Sequence, residues 1–131
     1  MSQPPNLILV VEDNEICRCT IEMQLTSLGL ESHASVHGKE ALERLSNNSY
    51  SLIFMDLQMP VMGGIEAAKA IRELEQRTGH ARIPIIAMTA NPSRDGCLEA
   101  GIDDFLLKPI LLAPLREMLG RWLPASHSNR Q

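Results

Sequence analysis

The sequence lacks the features that define several large classes of protein. Its three cysteines, Cys17, Cys19 and Cys97, are an odd number without paired spacing, which argues against a disulfide framework or a zinc site. A reducing compartment, the cytoplasm, is therefore expected. No apolar run approaches the roughly 20 residues of a membrane span, and residues 1–6 lack the basic and apolar regions of a secretory signal peptide.

Aromatic residues and an excess of positive charge are also missing. The 131 residues include two phenylalanines, one tyrosine and one tryptophan, so any core must be largely aliphatic. The formal net charge of −4 argues against direct binding to nucleic acid, because phosphate backbones attract basic surfaces. Neither common glycine-rich phosphate-binding loop occurs, and the four histidines share no metal-ligand spacing.

The sequence does contain a regular alternation of short apolar runs and helical patterns, which is typical of a parallel sheet covered by helices. The predicted strands are 7–11, 31–36, 52–55, 85–88 and 105–107, and the predicted helices are 14–28, 39–45, one from 64, 93–100 and 112–123. With right-handed crossovers, this alternation predicts an α/β domain with an open, doubly wound, five-stranded parallel sheet of flavodoxin-like (βα)5 type, in the strand order 2-1-3-4-5. The domain is expected to span residues 6–123, between a flexible N-terminal segment, 1–5, and a flexible C-terminal tail, 124–131.

Two of the predicted helices have an unusual composition. The fourth contains Gly96 in its interior, which costs about 1 kcal/mol relative to alanine. It is therefore expected to be among the least stable elements. The fifth is apolar on more than one face, and its excess apolar surface is expected to serve a partner. The face formed by the fourth helix, fifth strand and fifth helix is also a candidate dimerisation surface.

Polar side chains close four of the apolar runs. Glu12 and Asp13 follow the first run, and Asp56, Thr89 and Lys108 follow three later ones. In sheets of this class, ligands bind outside the carboxyl ends of the strands. Carboxylate oxygens are ligands that Mg²⁺ prefers, so the sequence predicts a cation-binding site at that edge of the sheet.

The same residues suit the acceptance of a phosphoryl group. A bound cation keeps neighbouring carboxylates ionised, and Asp56 can then act as a nucleophile toward phosphorus. Lys108 and Thr89 can bind phosphoryl oxygens, because this reaction needs alignment and neutralisation of charge more than covalent help. Each residue also has a simpler interpretation: Asp13 or Asn14 fits a helix N-cap, Asp56 fits a loop cap and Lys108 fits a solvated side chain. The joint placement at strand ends favours one site.

Four segments resemble the receiver domain of two-component response regulators, and the similarity spans about Asn6 to Leu123. The segments are Leu9–Glu15, Met55–Gly64, Met88–Ala90 and Asp104–Pro109, in this order and spacing. The resemblance implies that Asp56 is the phosphoacceptor. It also implies that Mg²⁺ is held by Glu12, Asp13, Asp56 and the Gln58 carbonyl. Thr89 and Lys108 would bind the phosphoryl group, and Thr89 and Phe105 would form the switch. The Lys108–Pro109 bond is expected to be cis.

The sequence departs from the common receiver pattern at three positions. Gly63 replaces a frequent aspartate, and Glu12 stands where aspartate is commoner, so its reach toward the metal differs. Phe105 occupies the position of the switching aromatic, often tyrosine, and lacks its hydroxyl. Gln58 and Asn91 resemble the pair that tunes the lifetime of the phosphoryl group.

The expected function is a phosphorylation-activated switch rather than an enzyme, with self-catalysed phosphotransfer and slow autodephosphorylation. The resemblance implies that a histidine kinase or histidine phosphotransfer protein donates the phosphoryl group, as for receivers of hybrid sensor kinases. The chain would then be cytoplasmic, as a stand-alone regulator or as part of a membrane sensor kinase. Because little sequence follows Trp122, output is expected to pass through contacts with a downstream protein.

Two alternatives remain open on the sequence. A Mg²⁺-dependent phosphatase with an aspartyl-phosphate intermediate would use the same nucleophile, but it needs a second carboxylate as general acid, and Gln58 stands two residues after Asp56. A degenerate receiver would bind partners without being phosphorylated.

Overall fold

The computed structural model describes residues 6–59, 62–91 and 96–123. The predicted flexible segments, 1–5 and 124–131, lie outside the described residues. The elements are β1 (Leu7–Val11), α1 (Glu15–Ser27), β2 (Glu31–Ser35), α2 (Gly38–Asn47), β3 (Leu52–Asp56), α3 (Gly64–Thr78), β4 (Ile85–Thr89), α4 (Cys97–Ala100), β5 (Asp104–Leu107) and α5 (Leu112–Trp122).

The five strands form one parallel sheet in the order β2-β1-β3-β4-β5. The order reverses between β1 and β3, which is where sheets of this type form a crevice at the carboxyl ends of the strands. In the register, Val11 lies beside Met55, Asp56 beside Met88 and Thr89 beside Leu107. The predicted fold class and strand order are confirmed, and the predicted polar residues lie at one edge of the sheet.

The core lies on both faces of the sheet. Every residue of β1, β3 and β4 is buried, and alternate side chains point to opposite faces. Leu9 and Ile53 therefore pack with residues of α2, α3 and α4, whereas Ile8 and Phe54 pack with residues of α1 and α5. Because the three central strands are buried on both sides, their last residues are held in fixed positions.

Two predicted helix boundaries are wrong. Helix α2 is longer than predicted at both ends, from Gly38 to Asn47. At its start the His37 ring nitrogen Nδ1 accepts a hydrogen bond from the Glu40 N–H and caps the first turn. Asn47 was predicted in a turn but ends this helix. Gly96 was predicted inside a helix, whereas the described helix α4 starts at Cys97 and Gly96 precedes it with φ of 77°. At that φ glycine avoids the strain of other residues, so Gly96 carries no helix-interior cost.

The predicted position of β2 in the strand order and the predicted apolar character of α5 agree with the structure. β2 lies at one edge of the sheet, and Leu115, Met118 and Leu119 of α5 are buried. Leu111 and Leu112, at the start of α5, are exposed and form the excess apolar surface. Among the described residues, no helix is both long and apolar enough to cross a membrane.

Candidate phosphoacceptor site

The acidic loop after β1 is held by its own backbone and by the start of α1. Glu12 is fully buried, and its N–H donates to the Ser35 carbonyl of β2 at 2.9 Å. The Asn14 N–H donates to Glu12 Oε2 at 3.1 Å, and Asn14 Oδ1 accepts from the Cys17 N–H at 2.9 Å. Asn14 is therefore the N-cap of α1, and the neighbouring Asp13, which is exposed, does not serve as the cap.

Asp56 is the last residue of β3 and is only 2% exposed. Its Oδ1 accepts a hydrogen bond from the Gln58 N–H at 3.1 Å. The first turn of α3 lies directly against its backbone: a Cβ atom at Gly64 would be 2.5 Å from the Asp56 carbonyl oxygen and 2.7 Å from Leu57 Cα. Glycine at position 64 therefore allows α3 to start beside the site.

Lys108 lies between the two buried carboxylates. Its Nζ is 3.0 Å from Glu12 Oε1 and 3.3 Å from Asp56 Oδ1. The Lys108 N–H donates to the Thr89 carbonyl at 2.8 Å, which continues the pairing of β4 with β5 beyond the strand. The Lys108–Pro109 peptide bond is cis. The solvated-lysine interpretation is therefore wrong, because the ammonium is an ion-pair partner inside the pocket.

The electrostatics of the pocket favour a cation. One carboxylate oxygen from each of Glu12, Asp13 and Asp56 lies within 4.8 Å of the others. Burial, the largest cause, and the contact with Asp56 raise the pKa of Glu12 to about 7, whereas Lys108 and the Asn14 N–H act to lower it. Burial lowers the pKa of Lys108, but the two carboxylates outweigh this and raise it. Three acidic groups against one ammonium leave negative charge that a divalent cation would neutralise.

Thr89 and Phe105 lie on neighbouring strands next to the pocket. Thr89 is 3% exposed, and its Oγ1 donates to the Asn91 carbonyl at 3.1 Å and accepts from the Asn91 N–H at 3.0 Å. Phe105 is half-buried on β5, beside Ala87 of β4. Both residues line a surface groove of about 530 Å³ that continues past Lys108 to Leu111.

The structure brings some of the predicted site residues together more closely than others. Glu12, Asp13, Asp56 and Lys108 share one pocket. The Thr89 hydroxyl instead bonds to Asn91 within its own loop. Gln58 and Asn91 have exposed side chains near the pocket, and the contact of Gln58 with Asp56 is made by its N–H. Pro60, Val61 and residues 92–95, which border this region in sequence, lie outside the described residues.

Sequence reasoning missed two residues of α1 that contact the segments carrying the pocket residues. Arg18 Nη1 lies 3.1 Å from the Glu12 carbonyl oxygen and 3.4 Å from that of Asp13. Its position four residues after the N-cap, one turn into α1, was the available signal, because a long donor there can reach back to the preceding loop. Gln24 is the second residue: its Nε2 donates to the Ile110 carbonyl at 3.2 Å and ties α1 to the segment after Lys108. No local pattern pointed to Gln24.

Comparison with known proteins identifies the family. A profile of the response regulator receiver domain matches residues 8–120. The chain belongs to the response regulator receiver family. This receiver domain is 43% identical over 122 residues to the hybrid signal transduction protein dokA of Dictyostelium discoideum, an alignment that covers 93% of this chain and 7% of dokA.

Solved receiver structures have the same fold. The receiver domain of the sensor histidine kinase PA1611 from Pseudomonas aeruginosa, solved with a magnesium ion coordinated in its active site cleft, has a TM-score of 0.81 and 38% identity, covering 91% of this chain and 98% of that one. A chain in the co-crystal structure of the Saccharomyces cerevisiae histidine phosphotransfer protein Ypd1 with the receiver domain of Ssk1 has a TM-score of 0.84 and 34% identity, covering 93% of this chain and 91% of that one.

The receiver domain is a small part of the curated relatives that it matches. It spans 7% of dokA, 11% of hybrid signal transduction histidine kinase F of Dictyostelium discoideum and 13% of the sensor kinase/phosphatase LuxN of Vibrio campbellii. These relatives are a hybrid signal transduction protein, a hybrid histidine kinase and a sensor kinase/phosphatase. The shared part is the response regulator receiver domain, a phosphoacceptor switch of two-component signalling.

Proposed function

We propose that this receiver domain accepts a phosphoryl group on Asp56 from a phosphohistidine of a partner protein, in a Mg²⁺-dependent reaction, and that the product changes its protein contacts. The observation that carries the proposal is the meeting of a buried aspartate with an ammonium group at 3.3 Å, inside a cluster of three carboxylates. With a divalent cation bound, such a pocket would neutralise incoming negative charge.

The residues present fit Mg²⁺. Glu12, Asp13 and Asp56 would hold Mg²⁺ together with the Gln58 carbonyl, because the three carboxylates offer hard oxygen ligands. The positive charge already in the pocket offsets their negative charge only in part. A bound Mg²⁺ would neutralise charge on the transferring phosphoryl group. The magnesium ion in the similar PA1611 receiver supports this assignment.

The transfer step follows from the ion pairs. A carboxylate oxygen of Asp56 attacks phosphorus, a P–O bond forms, and the P–N bond breaks with its electron pair leaving on the imidazole of the donor. The Lys108 ammonium is already beside Asp56 and can follow the phosphoryl oxygens without a large movement. No proton has to be removed from Asp56, because the nucleophile is a carboxylate.

The switch step uses Thr89 and Phe105. The new phosphoryl group would compete with Asn91 for the Thr89 hydroxyl. Movement of Thr89 would open space toward Phe105, which lines the same groove. The ring would then turn inward and bias the α4–β5–α5 face, where Leu98, Leu107 and Leu111 are exposed. That apolar face supports output or dimerisation through protein contacts.

The surface near the pocket favours a protein as the phosphodonor. Helix α1 starts directly after the acidic loop and exposes Ile16 and Met23, which are 78% and 72% accessible and lie seven residues apart on one side of the helix. We take this side of α1 as the docking surface for the donor, because an apolar surface beside a reactive site suits contact with a protein. The Ypd1 complex of a similar receiver supports a histidine phosphotransfer protein as the partner. We also propose that the folded domain spans residues 6–123 and that it lies in the cytoplasm.

The direct test is incubation with Mg²⁺ and acetyl phosphate, followed by intact-mass measurement and hydroxylamine treatment. We expect an adduct of one phosphoryl group that EDTA prevents and hydroxylamine removes. Asp56→Asn should abolish the adduct, whereas the matched substitution Asp104→Asn, at the opposite end of the sheet, should retain it. A full adduct on Asp56→Asn would refute the proposal, and steady turnover of a phosphomonoester would favour a phosphatase instead.

The partner surface has its own test. In a transfer assay from a phosphorylated histidine phosphotransfer protein, Ile16→Glu and Met23→Glu should slow transfer about tenfold or more, since buried apolar anchors dominate such interfaces. Labelling by acetyl phosphate should remain unchanged. Equal slowing with both donors would show that these substitutions damage the pocket rather than the docking surface.

A further inference from the structure

We propose that Arg18 is a positioning residue that sets the acidic loop for cation binding. This inference rests on the proposed Mg²⁺-dependent function and adds a residue to it. Arg18 lies on α1, and its own N–H donates to the Asn14 carbonyl at 2.9 Å as part of the first helical turn. From there its guanidinium nitrogen Nη1 reaches back to two consecutive carbonyl oxygens, those of Glu12 and Asp13.

Contacts to two consecutive carbonyls fix the residue between them. The Glu12 carbonyl belongs to the peptide plane that precedes the Asp13 Cα, and the Asp13 carbonyl belongs to the plane that follows it. Because peptide units are rigid, holding both planes fixes the two backbone dihedrals of Asp13 and therefore the direction of its Cα–Cβ bond. The second plane is also held by the Asn14 N–H, which donates to Glu12 Oε2.

Asp13 is the member of the acidic cluster that most needs this support. Glu12 and Asp56 are buried at strand ends, whereas Asp13 is exposed on the loop between β1 and α1. An exposed carboxylate on an untethered loop would lose conformational freedom when it binds a cation, and that loss would weaken binding. Arg18 removes this freedom in advance.

The charge of Arg18 acts in the opposite direction. A guanidinium close to a cation site repels the cation, so removal of the charge alone would strengthen Mg²⁺ binding. Removal of the positioning contacts would weaken it. The sign of the change therefore separates the two roles, and salt of about 0.15 M reduces the charge effect on this partly exposed loop.

The experiment measures the Mg²⁺ dissociation constant by titration calorimetry for the wild type, Arg18→Met, Arg18→Lys and Arg77→Met. Arg77 lies in the last turn of α3, whereas the first turn of that helix is the part beside the site. Arg77→Met is therefore the control, because it removes one exposed positive charge far from the site. We expect Arg18→Met to weaken Mg²⁺ binding about tenfold, as removal of groups that orient metal ligands commonly does. Arg18→Lys should give a smaller loss, because one donor remains, and Arg77→Met should have no measurable effect.

The free energy of unfolding of each variant is measured in urea without Mg²⁺, so that a loss of Mg²⁺ affinity can be compared with any loss of stability. Affinity of Arg18→Met equal to or tighter than that of the wild type would overturn the role of Arg18 while leaving the proposed function intact. If Arg18→Met does not fold, the Lys variant decides, since unchanged affinity there would also overturn the inference. A wild-type chain that binds no Mg²⁺ would overturn both proposals.

Discussion

Substitution of Gly64 by alanine tests how closely α3 must approach the phosphoacceptor. The added Cβ would lie 2.5 Å from the Asp56 carbonyl oxygen and 2.7 Å from Leu57 Cα, and both atoms belong to the backbone. Backbone at the end of a buried central strand cannot shift freely, so either the start of α3 or the end of β3 must move.

The magnitude follows from two opposing effects. Overpacking of a filled site costs about 1–3 kcal/mol, and the contacts here are with backbone, which favours the upper part of that range. Replacing a helical glycine by alanine returns at most about 1 kcal/mol. We therefore expect Gly64→Ala to lower the free energy of unfolding by about 1–2 kcal/mol. Because the clash displaces Asp56, labelling by acetyl phosphate should fall even under conditions where the variant is fully folded.

Gly120→Ala is the matched control. Gly120 lies in α5, and nothing lies within 4 Å of the position of its Cβ, so alanine should stabilise the protein by up to about 1 kcal/mol. Urea unfolding followed by circular dichroism measures both variants. A Gly64→Ala protein as stable as Gly120→Ala, with normal labelling, would refute the close-packing argument.

Three further predictions concern charge. The pKa of Glu12 is raised from 4.5 to about 7, so in EDTA its contribution to stability is full below pH 4.5 and is lost as the pH rises through about 7. Glu12→Gln should abolish this decline in the free energy of unfolding, measured in urea. A parallel decline in both proteins would contradict the prediction. Burial raises the pKa of Asp104, but hydrogen bonds from the Trp122 indole N–H, the Phe105 N–H and Arg121 outweigh burial and lower it. Asp104→Asn should therefore lose stability at neutral pH and match the wild type only once the pH falls through this lowered pKa, below 3.8; an equal loss at all pH values would refute this. Arg72 is half-buried and binds Glu75, Asp103 and the Gly101 carbonyl, so Arg72→Leu should lower the free energy of unfolding, measured in urea, by about 3–5 kcal/mol. The control Arg82→Leu removes an exposed partner of Asp103 and should cost less than about 1 kcal/mol. Similar costs for the two variants would show that burial of the ion pair is unimportant.

Local sequence patterns were sufficient for the fold and for most of the candidate pocket. Apolar runs closed by Glu12, Asp56, Thr89 and Lys108 marked the strand ends, because a buried strand excludes charge until it reaches a surface. Parallel topology then put those ends at one edge. The same patterns failed at Gly96, where composition alone does not distinguish a helix interior from a residue of positive φ before a helix.

Contacts between distant segments were not encoded in any local pattern. The pairing of Lys108 with Glu12 joins the segment after β5 to the segment after β1, and the pKa of Glu12 is raised by burial and by Asp56. Arg18 was not predicted, although its position one turn into α1 allows its side chain to reach the acidic loop. Gly64 was noted only as the start of the third predicted helix and the end of the segment Met55–Gly64, yet it is needed for the approach of α3 to β3.

The sequence by itself determined the alternation of strands and helices and the chemical types gathered at the strand ends, because periodicity and burial act over a few neighbouring residues. Only the tertiary structure decided which oxygen faces which ammonium, which of Asp13 and Asn14 caps α1, and how much charge the pocket holds. Those properties depend on distances and desolvation between residues far apart in the chain, and both arise only once the sheet has formed.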